Sequence, residues 1–201
     1  MNNRKHSTTV LDSPTIDQHR QTQERCEMPP SAQSIRIEST RLLIKPFSPA
    51  DADVAFSCIT LSLTRYMAWE PAASRDEFDR IWQGWIPSIE NGSDYVFAIR
   101  HRTDGSFLGL VGLHYVNTEK QELGIWIRED RHGESFGREA VTLVARWATQ
   151  TLGAESFIYP VAEENLPSRR IAESLGGVIV EHCERPKYKA VIYRIPAVYC
   201  Q

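Results

Sequence analysis

Residues 127–141 read IREDRHGESFGREAV, and the reading of this stretch decides the fold. Two glycines, Gly133 and Gly137, flank small Ser135 just before apolar residues begin to recur at helical spacing. Glycine is costly inside a helix, so a pair at a helix entrance predicts a backbone that bends sharply or is closely approached. Free N–H groups at such an entrance form a natural phosphate cradle. Ahead of the loop, QELGIWIRE predicts a strand. Behind it, Ala140, Val141, Val144, Trp147 and Ala148 share one face of a helix.

Working outward, IRIESTRLLIKPF (35–47) alternates like a strand or strand pair. In SPADADVAFSCI, Ser48 reads as a helix cap with Pro49 in the first turn. Ser74 repeats the device for a second helix with Phe78, Ile81, Trp82 and Trp85 on one face, which Pro87 is expected to limit or bend. DYVFAIRH and FLGLVGLHYV form a hairpin with Asp104-Gly105 at its tip. After the glycine loop and its helix come the strand AESFIYPVA, the helix NLPSRRIAESLGG and the closing strands VIVEHCE and YKAVIYRIP. The order predicts a mixed α/β sheet flanked by helices, with the loop between the last meander strand and the central helix.

The 201 residues, 41% hydrophobic and 24% charged, suit one domain with a substantial core. A net charge of −3 gives no reason to expect nucleic acid. Cys26, Cys58, Cys183 and Cys200 are widely spaced, form no C-x-x-C pair, and read as reduced thiols without a metal. No secretory leader is evident, and no run approaches the ~18 apolar residues of a membrane span. The expectation is a soluble, cytoplasmic protein that needs no membrane. Residues 1–33 lack aromatic residues and read as a mobile tail ahead of a single domain, 34–201.

Four readings compete for the loop. A dinucleotide site needs G-x-G-x-x-G and an acid about twenty residues on, within repeated parallel units. Here the spacing is G-x-x-x-G, Glu163 and Glu164 lie roughly thirty residues past Gly133, and a meander precedes the loop. The Gly-Lys-Ser/Thr of a Walker loop is missing. A plain tight turn and a phosphate cradle remain.

The stretches ELGIWIREDRHGESFGREA and NLPSRRIAESLGG together resemble the GNAT superfamily of acetyl-CoA-dependent N-acetyltransferases. The opening IESTRLLIKPFSPADAD and the loop RYMAWEP resemble its branch of bacterial ribosomal-protein N-terminal acetyltransferases. The resemblance covers residues 35–196 and implies a GNAT-type acyl-CoA N-acyltransferase fold, with about seven strands and about four helices. It implies that His132, Gly133, Glu134, Ser135, Phe136, Gly137 and Arg138 form the pyrophosphate loop of acetyl-CoA. His132 and Ser135 depart from the family's usual residues there, and Ser135 is expected in an ordinary backbone conformation. The pantetheine arm is implied along Ile125, Trp126 and Ile127, where a local splay from SFIYPV admits it, with Asn165 and Ser168 facing it.

Backbone N–H groups near Trp126 would then stabilise an oxyanion, while the Trp126 side chain is either part of the site or core. An amine attacks only when neutral, so Glu122 is the implied general base, with an exposed strand-edge glutamate as the alternative. Asn165 and Ser168 read equally as a helix cap and first-turn residues. Ala172 stands where many superfamily members carry a tyrosine acid, which leaves the proton donor to the departing thiolate unassigned. His114 is expected to be a packed strand residue, and His132 to donate a single hydrogen bond. The implied partners are acetyl-CoA and an amine, a protein N-terminus or a small molecule, in a monomer or homodimer. A catalytically weak acetyl-CoA-binding module is the alternative, and acceptor choice is expected to lie between Ser57 and Gly92.

Overall fold

The structure, a computed structural model, describes residues 31–199, so the tail reading of residues 1–30 lies outside the described residues, as do Cys26 and Cys200. Eight strands form one sheet: β1 Ile37–Glu38, β2 Leu42–Pro46, β3 Tyr95–His101, β4 Phe107–His114, β5 Glu122–Ile127, β6 Ser156–Ala162, β7 Val178–Glu184 and β8 Lys189–Pro196. Five helices flank it: α1 Ala52–Cys58, α2 Leu61–Thr64, α3 Arg75–Asn91, α4 Phe136–Leu152 and α5 Leu166–Ser174. The spatial order is β1-β2-β3-β4-β5-β6-β8-β7. Every neighbouring pair is antiparallel except β5 and β6.

The count exceeds the seven strands and four helices expected from sequence, for local reasons. Ser39 Oγ accepts from the N–H groups of Arg41 (3.1 Å) and Leu42 (2.9 Å), and this turn divides the first extended stretch into β1 and β2. Thr60 Oγ1 accepts from Leu63 N–H at 3.0 Å and starts the short α2. Ser48 closes a capping box with Asp51, and a 3-10 turn over Pro49–Asp51 leads into α1. Ser74 Oγ caps α3 by accepting from Glu77 N–H at 3.2 Å.

Of the two outcomes expected of Pro87, a limit or a bend, the limit is absent, because the helix runs on to Asn91. Proline removes the hydrogen bond to the carbonyl four residues earlier, that of Gln83. Both residues lie on the exposed side of the helix, so the freed oxygen is not shut into the core.

The core sits between the sheet and two helical layers. Small residues on α4 (Ala140, Val141, Val144, Ala145 and Ala148) are fully buried and let the helix approach closely. Trp147 meets Tyr95 edge-on at 5.3 Å and Phe97 at 5.6 Å. Phe78 and Trp85 of α3 pack edge-on at 6.2 Å, with Trp85 also 5.2 Å from Phe47.

A bulge where β3 pairs β4 shifts the register at Ile99/Arg100 and leaves Gly109 at φ 155°. A β-carbon there would lie 2.1 Å from the Trp126 carbonyl oxygen. Gly109→Ala is therefore expected to cost about 3 kcal/mol or more, lowering the thermal midpoint by about 6–12 °C in a scan of the purified protein. A midpoint within about 2 °C of wild type would contradict this packing.

Candidate active site

The parallel ladder between β5 and β6 consists of one register pair, Glu122 with Ile158, beside a 2.7 Å bond from Ile158 N–H to the Gln121 carbonyl. Beyond it the strands part. The β6-facing edge of β5 from Leu123 to Ile127 pairs with no strand among the described residues, while its other edge is paired with β4 throughout. This gap opens onto a cavity of about 520 Å³ lined from both sheet halves and by the segment before α3. Glu122, His114, Trp126, Tyr159, Asn165 and Ser168 all line it.

Glu122 is half-buried at the start of β5, directly across from His114 on β4. Burial pushes its carboxyl above the ordinary range, and nearby Asp94 adds to the rise; His114 and Arg185 offset part of it. The exposed strand-edge alternative for Glu122 does not match this setting. His114 is likewise not a packed core residue: its ring is partly exposed, and Nδ1 lies 2.7 Å from Asp94 Oδ1. The next residue, Tyr115, takes φ 56° and turns the chain away from the sheet.

Tyr159 is buried, its hydroxyl 2.8 Å from Ser168 Oγ, and burial pushes its pKa up to about 12. Asn165 caps α5, its Oδ1 accepting from Ser168 N–H at 3.3 Å as the cap reading expects, and both residues line the cavity. Trp126 is 8% exposed, its ring 5.8 Å from that of Phe107, and it lies on the cavity wall. Ala172 is fully buried. Lys187, in the β7–β8 turn, donates to the carbonyls of Thr64 (2.9 Å) and Trp69 (3.2 Å) and pairs with Glu70 at 2.8 Å. That ammonium ties the turn bearing Tyr188 to the opposite cavity wall.

The glycine loop lies next to the open end of β5. His132 Nε2–H donates to the Ile127 carbonyl at 2.7 Å, the single bond expected of it, so its ring braces the loop against the strand. Gly133 adopts φ 84°, and Glu134 is exposed with its carbonyl accepting from Arg41 at 3.1 Å. Phe136 is a buried anchor beneath the Arg41 guanidinium, 4.7 Å above its ring, so its side chain faces the core. Arg138 is exposed and lines a separate groove with Thr142 and Arg146. A β-carbon on Gly137 would point into the apolar cleft between α4 and α5, 3.4 Å from Ile171 and 3.6 Å from Ile127.

Ser135 departs from expectation. It holds φ 65° and ψ 12° at the start of α4, without a side-chain cap bond. Left-handed geometry crowds the β-carbon of any residue but glycine. Ser135→Gly is thus expected to stabilise the fold by about 0.5–1 kcal/mol, read as a thermal midpoint higher by about 1–4 °C. A lower midpoint would speak against the strained turn.

Sequence reading missed Asp94, Tyr188, Arg185 and Lys187. Asp94 sits just before β3 in a turn-rich stretch, and nothing local links it to His114 twenty residues away. Tyr188 lines the cavity, Asp94 and Arg185 act on Glu122 through their charges, and Lys187 ties their turn to the far wall, all across distant segments. Among the described residues there is no group of three or more His, Cys, Asp or Glu arranged to hold a metal ion, and no helix is long and apolar enough to cross a membrane.

The family model described as an acetyltransferase (GNAT) domain matches residues 41–178. The chain belongs to the GNAT acetyltransferase family. Residues 41–178 thus carry an acetyltransferase domain of this family. An uncharacterized protein of Methanocaldococcus jannaschii is 26% identical over 143 residues, 69% of this chain and 28% of that one, so the chain spans under a third of that relative. An N-acetyltransferase 9-like protein of Caenorhabditis briggsae is 23% identical over 153 residues, covering 70% of this chain and 76% of that one. The spermidine N-acetyltransferase of Vibrio cholerae, solved with CoA and spermine, superposes with a TM-score of 0.69 at 18% identity, over 79% of this chain and 97% of that one. The ribosomal-protein-S5-alanine acetyltransferase of Vibrio fischeri gives 0.68 at 12% identity, over 81% and 97%. At these identities the solved structures establish the GNAT fold alone.

Proposed function

We propose that this GNAT protein transfers the acetyl group of acetyl-CoA to a primary amine, a protein N-terminus or a small molecule, by direct attack in a ternary complex. The observation that carries the proposal is the single-pair ladder between β5 and β6, which opens a cavity with Glu122 at its edge. The backbone of Ile125, Trp126 and Ile127 would pair with the pantetheine arm as an added strand would. The apolar cleft of Ile125, Ile127 and Ile171 suits that arm, and the start of α4 with its left-handed turns suits a pyrophosphate.

In this reading Glu122 takes a proton from the acceptor nitrogen. Its burial supports that role, since a raised carboxyl is a stronger base than an ordinary one. N–H groups near Trp126 stabilise the oxyanion, and Asn165 and Ser168 face the arm. Holding both substrates in one cavity supplies much of the rate. Residues 34–201 act as one domain, with 1–33 as an appended tail.

The test is CoA release from acetyl-CoA in the presence of amines, polyamines and N-terminal peptides. Release with at least one acceptor supports acetyl transfer. Tight acetyl-CoA binding without release for any of them would favour the binding-module alternative.

A further inference from the structure

The acceptor arrives as an ammonium and must shed two protons, whereas Glu122 accounts for one. The residue that receives the second is also the missing donor to the departing thiolate. Ala172 has no proton to give. Tyr159, pushed up to about 12, is a weaker acid than an ordinary thiol by on the order of 10³-fold.

The floor of the cavity offers another group. Gly112 on β4 faces Gly124 on β5, and neither carries a side chain. The His114 ring leans back into the space this leaves, so a β-carbon on Gly112 would lie 2.3 Å from His114 Nε2. Along the paired strands, the levels run from His114/Glu122 through Gly112/Gly124 to Leu110/Trp126. Nε2 therefore lies one level beyond Glu122, toward the Trp126 backbone. Asp94 Oδ1 holds Nδ1 at 2.7 Å, so that in the neutral ring Nδ1 carries the proton and Nε2 is the free acceptor. Glu122 faces this pair from β5, Arg185 and Tyr188 reach Glu122 from the β7–β8 turn, and the Tyr115 ring stands 6.5 Å from the imidazole.

We propose that His114, aligned by Asp94, carries the second proton from the attacking nitrogen to the departing CoA sulfur. The inference rests on the acetyl-transfer reading of this cavity. Glu122 removes the first proton, and the freed lone pair attacks the thioester carbonyl carbon. As the N–C bond forms the nitrogen becomes positive, and Nε2 takes its proton. The C–S bond then breaks with its electrons on sulfur, and His114 protonates that thiolate. Amide, free thiol and one proton result, the last passing from Glu122 to solvent.

The experiment uses the full chain, acetyl-CoA and any acceptor found in the panel. His114→Ala is expected to lower kcat roughly 10²-fold with acetyl-CoA affinity and thermal midpoint retained. Added imidazole should restore turnover in proportion to its concentration, while pyrazole, equal in size but far less basic, should not. Asp94→Asn keeps an acceptor for Nδ1–H without the charge, so it should fall between wild type and His114→Ala. The proposal is overturned by a His114→Ala kcat within about threefold of wild type, by a loss neither azole repairs, or by equal repair from both. Should Glu122→Gln be impaired while His114→Ala is not, this inference alone fails. Should wild type release no CoA with any acceptor, the acetyl-transfer reading itself fails.

Discussion

Glu122→Gln is expected to lower turnover roughly 10²-fold at neutral pH with acetyl-CoA affinity unchanged. Gln preserves the shape of the side chain on the cavity wall and removes its basicity. The loss should shrink as pH rises, because more of the acceptor is then already neutral. A mutant-to-wild-type ratio that stays flat from about pH 6 to 9 would sink the base assignment. Stability should move the other way. The folded carboxyl is raised above its ordinary 4.5, mainly by burial, so the folded state binds more protons between the two values. Wild-type stability from this group falls as pH climbs through that window, leaving an ionised, half-buried carboxylate that is unfavourable at pH 7. Glu122→Gln should therefore raise the thermal midpoint at pH 7 and leave it nearly unchanged below about pH 4, where Glu122 is protonated in both states. A lower midpoint at pH 7 would indicate a structural role.

Ser135→Asp is expected to weaken acetyl-CoA binding by on the order of 10²-fold at low salt, and less as salt is added. Ser135 is exposed, and Asp is among the residues that tolerate its left-handed conformation, so the fold should persist. The added charge would face a pyrophosphate at the start of α4. Ser135→Asn has nearly the same shape without the charge and should bind within a few-fold of wild type. Titration calorimetry on both variants decides the matter, and equal affinities would remove the pyrophosphate from this loop. Position 137 is a poorer probe than the loop pattern suggests, because an aspartate there meets Ile171 and Ile127 and would report folding as well.

Much of the framework is legible locally. Ser48 and Ser74 accept N–H bonds within three residues, so the starts they mark follow from near neighbours. The small apolar face of α4 and the Asp104-Gly105 hairpin are written in short periods of the chain. The left-handed turn at Ser135 is not written in its near neighbours, and the residues on either side of it are held from a distance. Arg41 holds Glu134 and covers Phe136 from almost a hundred residues away.

The sequence by itself determined the order of strands and helices, the loop that opens α4, and the position of Glu122 at the head of β5. These depend on periodicity and capping, which act over a few residues. Only the tertiary structure decided that β5 and β6 part after one pair, that His114 faces Asp94 and Glu122, and that the Gln83 carbonyl freed by Pro87 lies on the exposed side of α3. The reason is physical: a cavity and its charges come from strand register and packing between distant segments, and one residue of register moves a side chain to the other face of the sheet.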